Sequence, residues 1–141
     1  TYDKNEIMNC DNPFDPFALH KAVLVATGIM DFYDNGIKLS TNVDVPKGSG
    51  LGTSSIIAAA AVKAVNELFD LDTSDQTIYA LVFLVEQLMT TGGGWQDQVG
   101  GLTAGVKYFT SRPGLYQDIY VEHLKLEKNI QKENRYNCIP L

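Results

Sequence analysis

Apolar residues recur at helical spacing in three stretches of the chain and at alternate positions in three others. The helical pattern predicts helices from Asp15 to just before Gly28, over about 54–69, and over about 74–89. Alternation predicts strands over 37–45, 105–110 and 116–126. The strand at 37–45 leads through a glycine-rich loop into the second helix, so these residues form a strand, loop, helix unit.

Local signals mark several boundaries of these elements. Asp15 is suited to the N-cap and Pro16 to the first position of the first helix, and Gly28 can close it. Residues 73–76, Thr-Ser-Asp-Gln, resemble a capping box at the start of the third helix. Five apolar residues of the second helix are predicted to share one face: Ile57, Ala61, Ala64, Val65 and Leu68.

The loop before the second helix is the first stretch with candidate chemistry. Gly48, Gly50 and Gly52 alternate, and Thr53, Ser54 and Ser55 follow where the helix begins. Glycines let the backbone approach a ligand, and the free N–H groups of a helix start attract phosphate. A glycine-rich turn before a core helix is an equally simple interpretation. The spacing matches neither a Walker loop nor a dinucleotide fingerprint.

The second such stretch, residues 90–101, holds five glycines together with Trp95, Gln96 and Asp97. Ordering so flexible a backbone merely as a linker would be costly. If the glycine loop binds the phosphates of a nucleotide, Asp97 is placed to act on the hydroxyl that accepts the phosphoryl group. Trp95 then either contacts that acceptor or packs in the core. Glu86 falls inside the apolar run of the third helix, where it is either solvated on the outer face or buried with a partner.

Composition narrows the class of protein. The net charge of −6 argues against nucleic acid as a partner, and no apolar run is long enough to span a membrane. Cys10 and Cys138 lack metal-type spacing and are expected to be free thiols, which favours a cytoplasmic protein. The chain opens at Thr1 without a methionine, so its natural N-terminus is expected to lie further upstream.

The glycine loop resembles the second motif of the GHMP kinases, which reads Pro-x-Gly-x-Gly-Leu-Gly-Ser-Ser-Ala. In this chain Thr53 replaces the first Ser, Ser54 is kept, and Ser55 stands in place of Ala. The resemblance implies ATP and Mg²⁺ as cofactors, with Ser54 and Glu86 as magnesium ligands and Asp97 as the catalytic residue. Glu86 stands eleven residues before Asp97, the spacing seen in mevalonate kinase. The implied nucleotide-binding residues are Lys47, Gly48, Ser49, Gly50, Leu51, Gly52, Thr53, Ser54 and Ser55.

Within the family, residues 85–101 are similar to the L-fucokinases, including the kinase part of fucokinase/GDP-fucose pyrophosphorylases. This implies transfer of the γ-phosphoryl group of ATP to the anomeric hydroxyl of L-fucose or a similar sugar. Gly93, Gly94, Trp95 and Gln96 are the candidate sugar contacts. A heptose-phosphate kinase of the same family and a non-catalytic nucleotide-binding module are the alternatives.

The family's first and third motifs have no counterpart in residues 1–141. We therefore expect a partial N-terminal domain, with no second domain, which is inactive alone and associates through surface that the missing domain would cover. The implied fold is α+β, an incomplete mixed sheet with helices on one side and a left-handed βαβ crossover.

Overall fold

The computed structural model describes residues 2–46, 49–90, 94–113 and 118–125. The chain divides into two compact units, Thr1–Thr103 and Ala104–Leu141, each described by itself below. The described helices of the first unit are α1 (Lys4–Met8), α2 (Ala18–Ala26), α3 (Thr53–Leu68), α4 (Asp75–Leu88) and α5 (Gln96–Leu102), with a short 3-10 helix at Ile29–Asp31. The second unit contains strands β1 (Lys107–Ser111) and β2 (Ile119–His123).

Helices α2, α3 and α4 pack against one another and form the core of the first unit. Small residues let α3 approach its neighbours: Ala58 and Ala59 are fully buried, as are Val62 on α3 and Val82 on α4. The predicted face of α3 is only partly correct, since Leu68 is 70% exposed. Ala64, another member of the predicted face, is also exposed, whereas Ala61 and Val65 are buried.

The predicted helix boundaries are close to the observed ones. Gly28 lies just past the end of α2 with φ +68°, the left-handed conformation expected of a closing glycine. Asp15 does not cap α2, which begins at Ala18. Its carboxylate accepts the Phe17 N–H in the preceding turn, at 2.8 Å, and pairs with Lys21 at 2.6 Å. The ion pair with Lys21 thus replaces the predicted cap.

Helix α4 begins one residue later than the predicted capping box requires. Ser74 is the N-cap and accepts the Thr77 N–H, so Gln76 falls one position short of the capping-box site. Asp72 accepts hydrogen bonds from Ser74 N–H at 2.8 Å and from the Thr77 hydroxyl at 2.5 Å. The Thr77 hydroxyl is the main reason why the pKa of Asp72 lies below its usual value.

The strand predicted over 37–45 is wrong. These residues keep the alternation of half-buried and exposed side chains, but they form no strand ladder with any described residue. A strand needs a neighbour for its backbone hydrogen bonds, and alternation reports only which side of the chain faces the protein.

Strands β1 and β2 form a two-stranded antiparallel sheet, with Lys107 opposite His123 and Ser111 opposite Ile119. These two strands confirm the predictions over 105–110 and 116–126, each somewhat shorter than expected. Helices with a sheet confirm the predicted α+β class. A mixed sheet and a left-handed crossover do not occur among the residues that the structure describes.

Two further expectations concern the cysteines and the membrane. Cys10 is a buried free thiol, and its burial raises its pKa, whereas Cys138 lies outside the described residues. Within the described part of the chain, no helix has the length and apolar character needed to cross a bilayer.

Candidate functional site

The two stretches singled out in the sequence meet at one cavity of about 360 Å³ in the first unit. It lies where the start of α3, the C-terminal half of α4 and the start of α5 converge. Its lining residues are Ser49, Gly50, Leu51, Gly52, Thr53, Ser54, Ser55, Glu86, Gly94 and Asp97.

The glycine loop shapes the wall of this cavity that belongs to α3. Gly50 and Gly52 have φ of +72° and +64°, the left-handed region that glycine adopts without strain. Gly52 is the N-cap of α3, and because it has no side chain it leaves the first N–H groups of the helix without a side-chain cap. The helix start therefore keeps donors and a partial positive charge for an anion.

Glu86 is buried, with 7% of the residue exposed, and it reaches the cavity from α4. Its carboxylate accepts a hydrogen bond from the Ser55 hydroxyl on α3 and one of 2.6 Å from the Gln98 side-chain amide on α5. Burial with partners is therefore the correct one of the two alternatives that the sequence left open. A solvated Glu86 on the outer face of the helix is excluded.

Asp97 lies in the first turn of α5 and is exposed to the cavity. A Cβ atom placed on Gly52 would lie 3.4 Å from Cβ and 3.7 Å from Oδ2 of Asp97, so the side chain crosses directly over the loop. The sequence predicted a flexible segment here, and it missed α5. Gly101 explains part of that glycine content, because a Cβ on it would lie 2.6 Å from Cγ1 of Ile56, so α5 packs closely on α3.

The remaining predicted residues divide into three groups. Ser54 lines the cavity but is exposed, and the buried hydroxyl next to Glu86 belongs to Ser55. Trp95 and Gln96 are not among the described lining residues, and Trp95 is half-buried rather than part of the core. Outside the described residues lie Lys47, Gly48 and Gly93.

The charge of the cavity suits a divalent cation. Its two ionisable groups among the described lining residues, Glu86 and Asp97, are both carboxylates, and Thr53, Ser54 and Ser55 add hydroxyl oxygens. Hard oxygen donors of this kind are the ligands that Mg²⁺ prefers, usually completed by substrate phosphates. Among the described residues, no group of three or more His, Cys, Asp or Glu side chains is placed to hold a metal ion.

Comparison with known proteins identifies the family. The model of the GHMP kinases N terminal domain matches residues 18–105, more than half of the chain, and the chain belongs to this family. The bifunctional fucokinase/GDP-fucose pyrophosphorylase of Arabidopsis thaliana is 52% identical over 104 residues, covering 72% of this chain and 10% of that protein.

Two further relatives are an L-fucokinase and a heptose phosphate kinase by name. The L-fucokinase/L-fucose-1-P guanylyltransferase of Bacteroides fragilis is 36% identical over 124 residues, 77% of this chain and 13% of that protein. The D-glycero-alpha-D-manno-heptose 7-phosphate kinase of Campylobacter jejuni is 29% identical over 111 residues, which cover 76% of this chain and 31% of that protein. The chain thus spans between a tenth and a third of these three proteins. No solved structure matches the chain.

Proposed function

We propose that this chain is the nucleotide-binding part of an ATP- and Mg²⁺-dependent sugar kinase that phosphorylates the anomeric hydroxyl of L-fucose or a similar sugar. The single observation that supports this most is the convergence of the uncapped start of α3 with Glu86 and Asp97 at one cavity. The similarity to proteins named as fucokinases supports L-fucose as the acceptor.

In the proposed phosphoryl transfer, different residues bind the triphosphate and the metal ion. The loop from Lys47 to Ser55 binds the triphosphate, with backbone N–H groups at the head of α3 donating to phosphate oxygens. Ser54 and Glu86 hold Mg²⁺, which when bound neutralises charge on the phosphates. Without a cation, two carboxylates facing a triphosphate would repel it, so the acidity of the cavity itself supports the metal.

Asp97 acts on the acceptor. Its exposed carboxylate orients the sugar hydroxyl and takes its proton as the oxygen forms a bond to the γ-phosphorus, while the bond to the β-phosphate oxygen breaks and ADP leaves. The proposed sugar contacts are Gly93, Gly94 and Trp95, which directly precede α5 in sequence, and Gln96, its first residue.

The test of this role is Asp97→Ala in a full-length protein that carries this segment. We expect turnover to fall by about 10²–10⁴-fold, the usual contribution of a positioned acid or base. Glu67→Ala is the control, because Glu67 is exposed on α3 and does not line the cavity. Turnover within threefold of wild type would remove Asp97 from the mechanism.

The acceptor is decided by assaying that same protein with ATP and a panel of sugars. Preference for L-fucose supports the proposal, whereas preference for a heptose phosphate would reassign the acceptor within the family. ATP binding that is independent of Mg²⁺, with no sugar phosphorylated, would indicate a non-catalytic nucleotide-binding module.

Three further points belong to the proposal. We expect residues 1–141 alone to phosphorylate no sugar, since the family's first and third motifs are not in them. The free thiol of Cys10 supports a cytoplasmic location. Association with a second copy or with the rest of the kinase has support in exposed apolar side chains such as Phe14, which is 90% exposed.

A further inference from the structure

We propose that Ser55 and Gln98 are positioning residues that fix the carboxylate of Glu86 for its metal, a role that rests on the proposed function of Glu86. The Ser55 hydroxyl donates to Oε1 and the Gln98 amide donates to Oε2, so each carboxylate oxygen has its own protein donor. The two donors come from α3 and α5, whereas Glu86 is carried by α4. We call this pair of donors the Glu86 clamp.

The clamp restricts how the carboxylate can turn. A glutamate side chain ends in a torsion with broad minima, so a free carboxylate samples many orientations. Donors at both oxygens hold the carboxylate plane, and each oxygen of a carboxylate has lone-pair capacity beyond a single hydrogen bond. Partners that orient a metal-binding side chain in this way contribute to metal affinity without touching the metal.

The orientation of the Gln98 amide follows from the charge of Glu86. An ionised carboxylate only accepts hydrogen bonds, so Gln98 must present its NH₂ group and turn its carbonyl oxygen away. That oxygen, Oε1, is buried and has no hydrogen-bond partner among the described residues, and Gln98 as a whole is 1% exposed.

The carbonyl oxygen of the Gln98 side chain therefore lowers the stability of the fold. Burying a carbonyl oxygen without a partner is unfavourable, and an apolar side chain of similar size would avoid it. The contact with Glu86 is the interaction that offsets this cost. A role in the site accounts for a glutamine here better than a role in packing does.

Ser55 leads to the same conclusion from the sequence. The family motif has Ala at this position, and this chain has a hydroxyl that is 4% exposed and bonded to Glu86. Close contact of Gly101 with Ile56 fixes α5 on α3 and so sets the spacing of the two donors. The clamp therefore depends on packing of three helices rather than on a local motif.

The experiment measures ATP binding by calorimetry as a function of free Mg²⁺, in a full-length protein carrying this segment. We expect Gln98→Met and Ser55→Ala each to raise the Mg²⁺ concentration for half-maximal binding by about 10-fold or more, as loss of such partners usually does. Gln87→Met is the matched control, since Gln87 is exposed on α4. The thermal midpoint without Mg²⁺ is recorded for every variant.

A second arm separates positioning from packing. If the clamp acts through Glu86, Gln98→Met adds no further change to the Mg²⁺ requirement once Glu86→Gln has been made. The clamp is overturned if neither Gln98→Met nor Ser55→Ala changes the Mg²⁺ requirement while Glu86→Gln raises it. That result would leave the proposed function intact. If Glu86→Gln itself leaves the requirement unchanged, the metal role of Glu86 fails and the clamp fails with it. Should Gln98→Met not fold, Ser55→Ala decides.

Discussion

Replacing Gly52 by alanine tests the proposed phosphate loop with the least chemical change. Gly52 has φ +64°, and an alanine forced into the left-handed region costs about 1–2 kcal/mol. The new Cβ would lie 3.4 Å from Cβ of Asp97, which is ordinary contact, so Gly52→Ala adds backbone strain without a steric clash. An alanine that relieves this strain in the free protein lowers the thermal midpoint by less than the about 4–8 °C that each kcal/mol of retained strain would cause.

The effect on nucleotide binding follows from the same number. An alanine relieves its strain by moving φ away from the left-handed region, which turns the N–H groups that follow. Binding of a triphosphate must restore the original conformation, so the strain of about 1–2 kcal/mol appears as ATP affinity that is weaker by about 5–30-fold. Isothermal titration with ATP and Mg²⁺ measures this change directly.

Gly28 provides the control within the same chain. Its φ is +68° and a Cβ there would meet no atom within 4 Å, so Gly28→Ala has the same backbone cost at a position outside the cavity. We expect Gly28→Ala to lower the thermal midpoint by about 4–8 °C for each kcal/mol of strain that it retains, and to bind ATP with an affinity within twofold of wild type. The reasoning is refuted if Gly52→Ala binds ATP as tightly as wild type, or if both alanines weaken binding equally.

Two predictions concern stability away from the cavity. Asp70 follows α3 with φ +54°, so Asp70→Gly should remove left-handed strain and stabilise the fold by about 1 kcal/mol, seen as a higher urea midpoint; an unchanged or lower midpoint contradicts this. Lys21, through its direct bond, holds the pKa of Asp15 below the usual 3.8. The pKa of this carboxyl is lower in the folded than in the unfolded protein. Its contribution to the free energy of unfolding is therefore fully present above the unfolded-state pKa and is lost as the pH falls through the folded-state pKa. The stability difference between wild type and Asp15→Asn should thus be constant near neutral pH and narrow below about pH 4, and urea titrations showing a constant difference down to the lowest pH would disprove it.

The sequence by itself determined the features that depend on neighbouring residues. Gly28 follows α2 and Gly52 precedes α3, and both have left-handed backbone, the conformation that glycine takes without strain. The periodicity of α4 fixed that helix to within a residue or so, and the family resemblance drew attention to Glu86 and Asp97 together.

Only the tertiary structure decided which hydroxyl meets Glu86 and what holds its other oxygen. Helical periodicity left Glu86 equally suited to solvent or core, because its environment is supplied by α3 and α5, which are distant in sequence. The strand predicted at 37–45 failed for the same reason, since a strand exists only where another segment supplies hydrogen bonds. Turns and helix ends are local properties of the chain, whereas burial and the contacts of a buried side chain depend on residues brought together by folding.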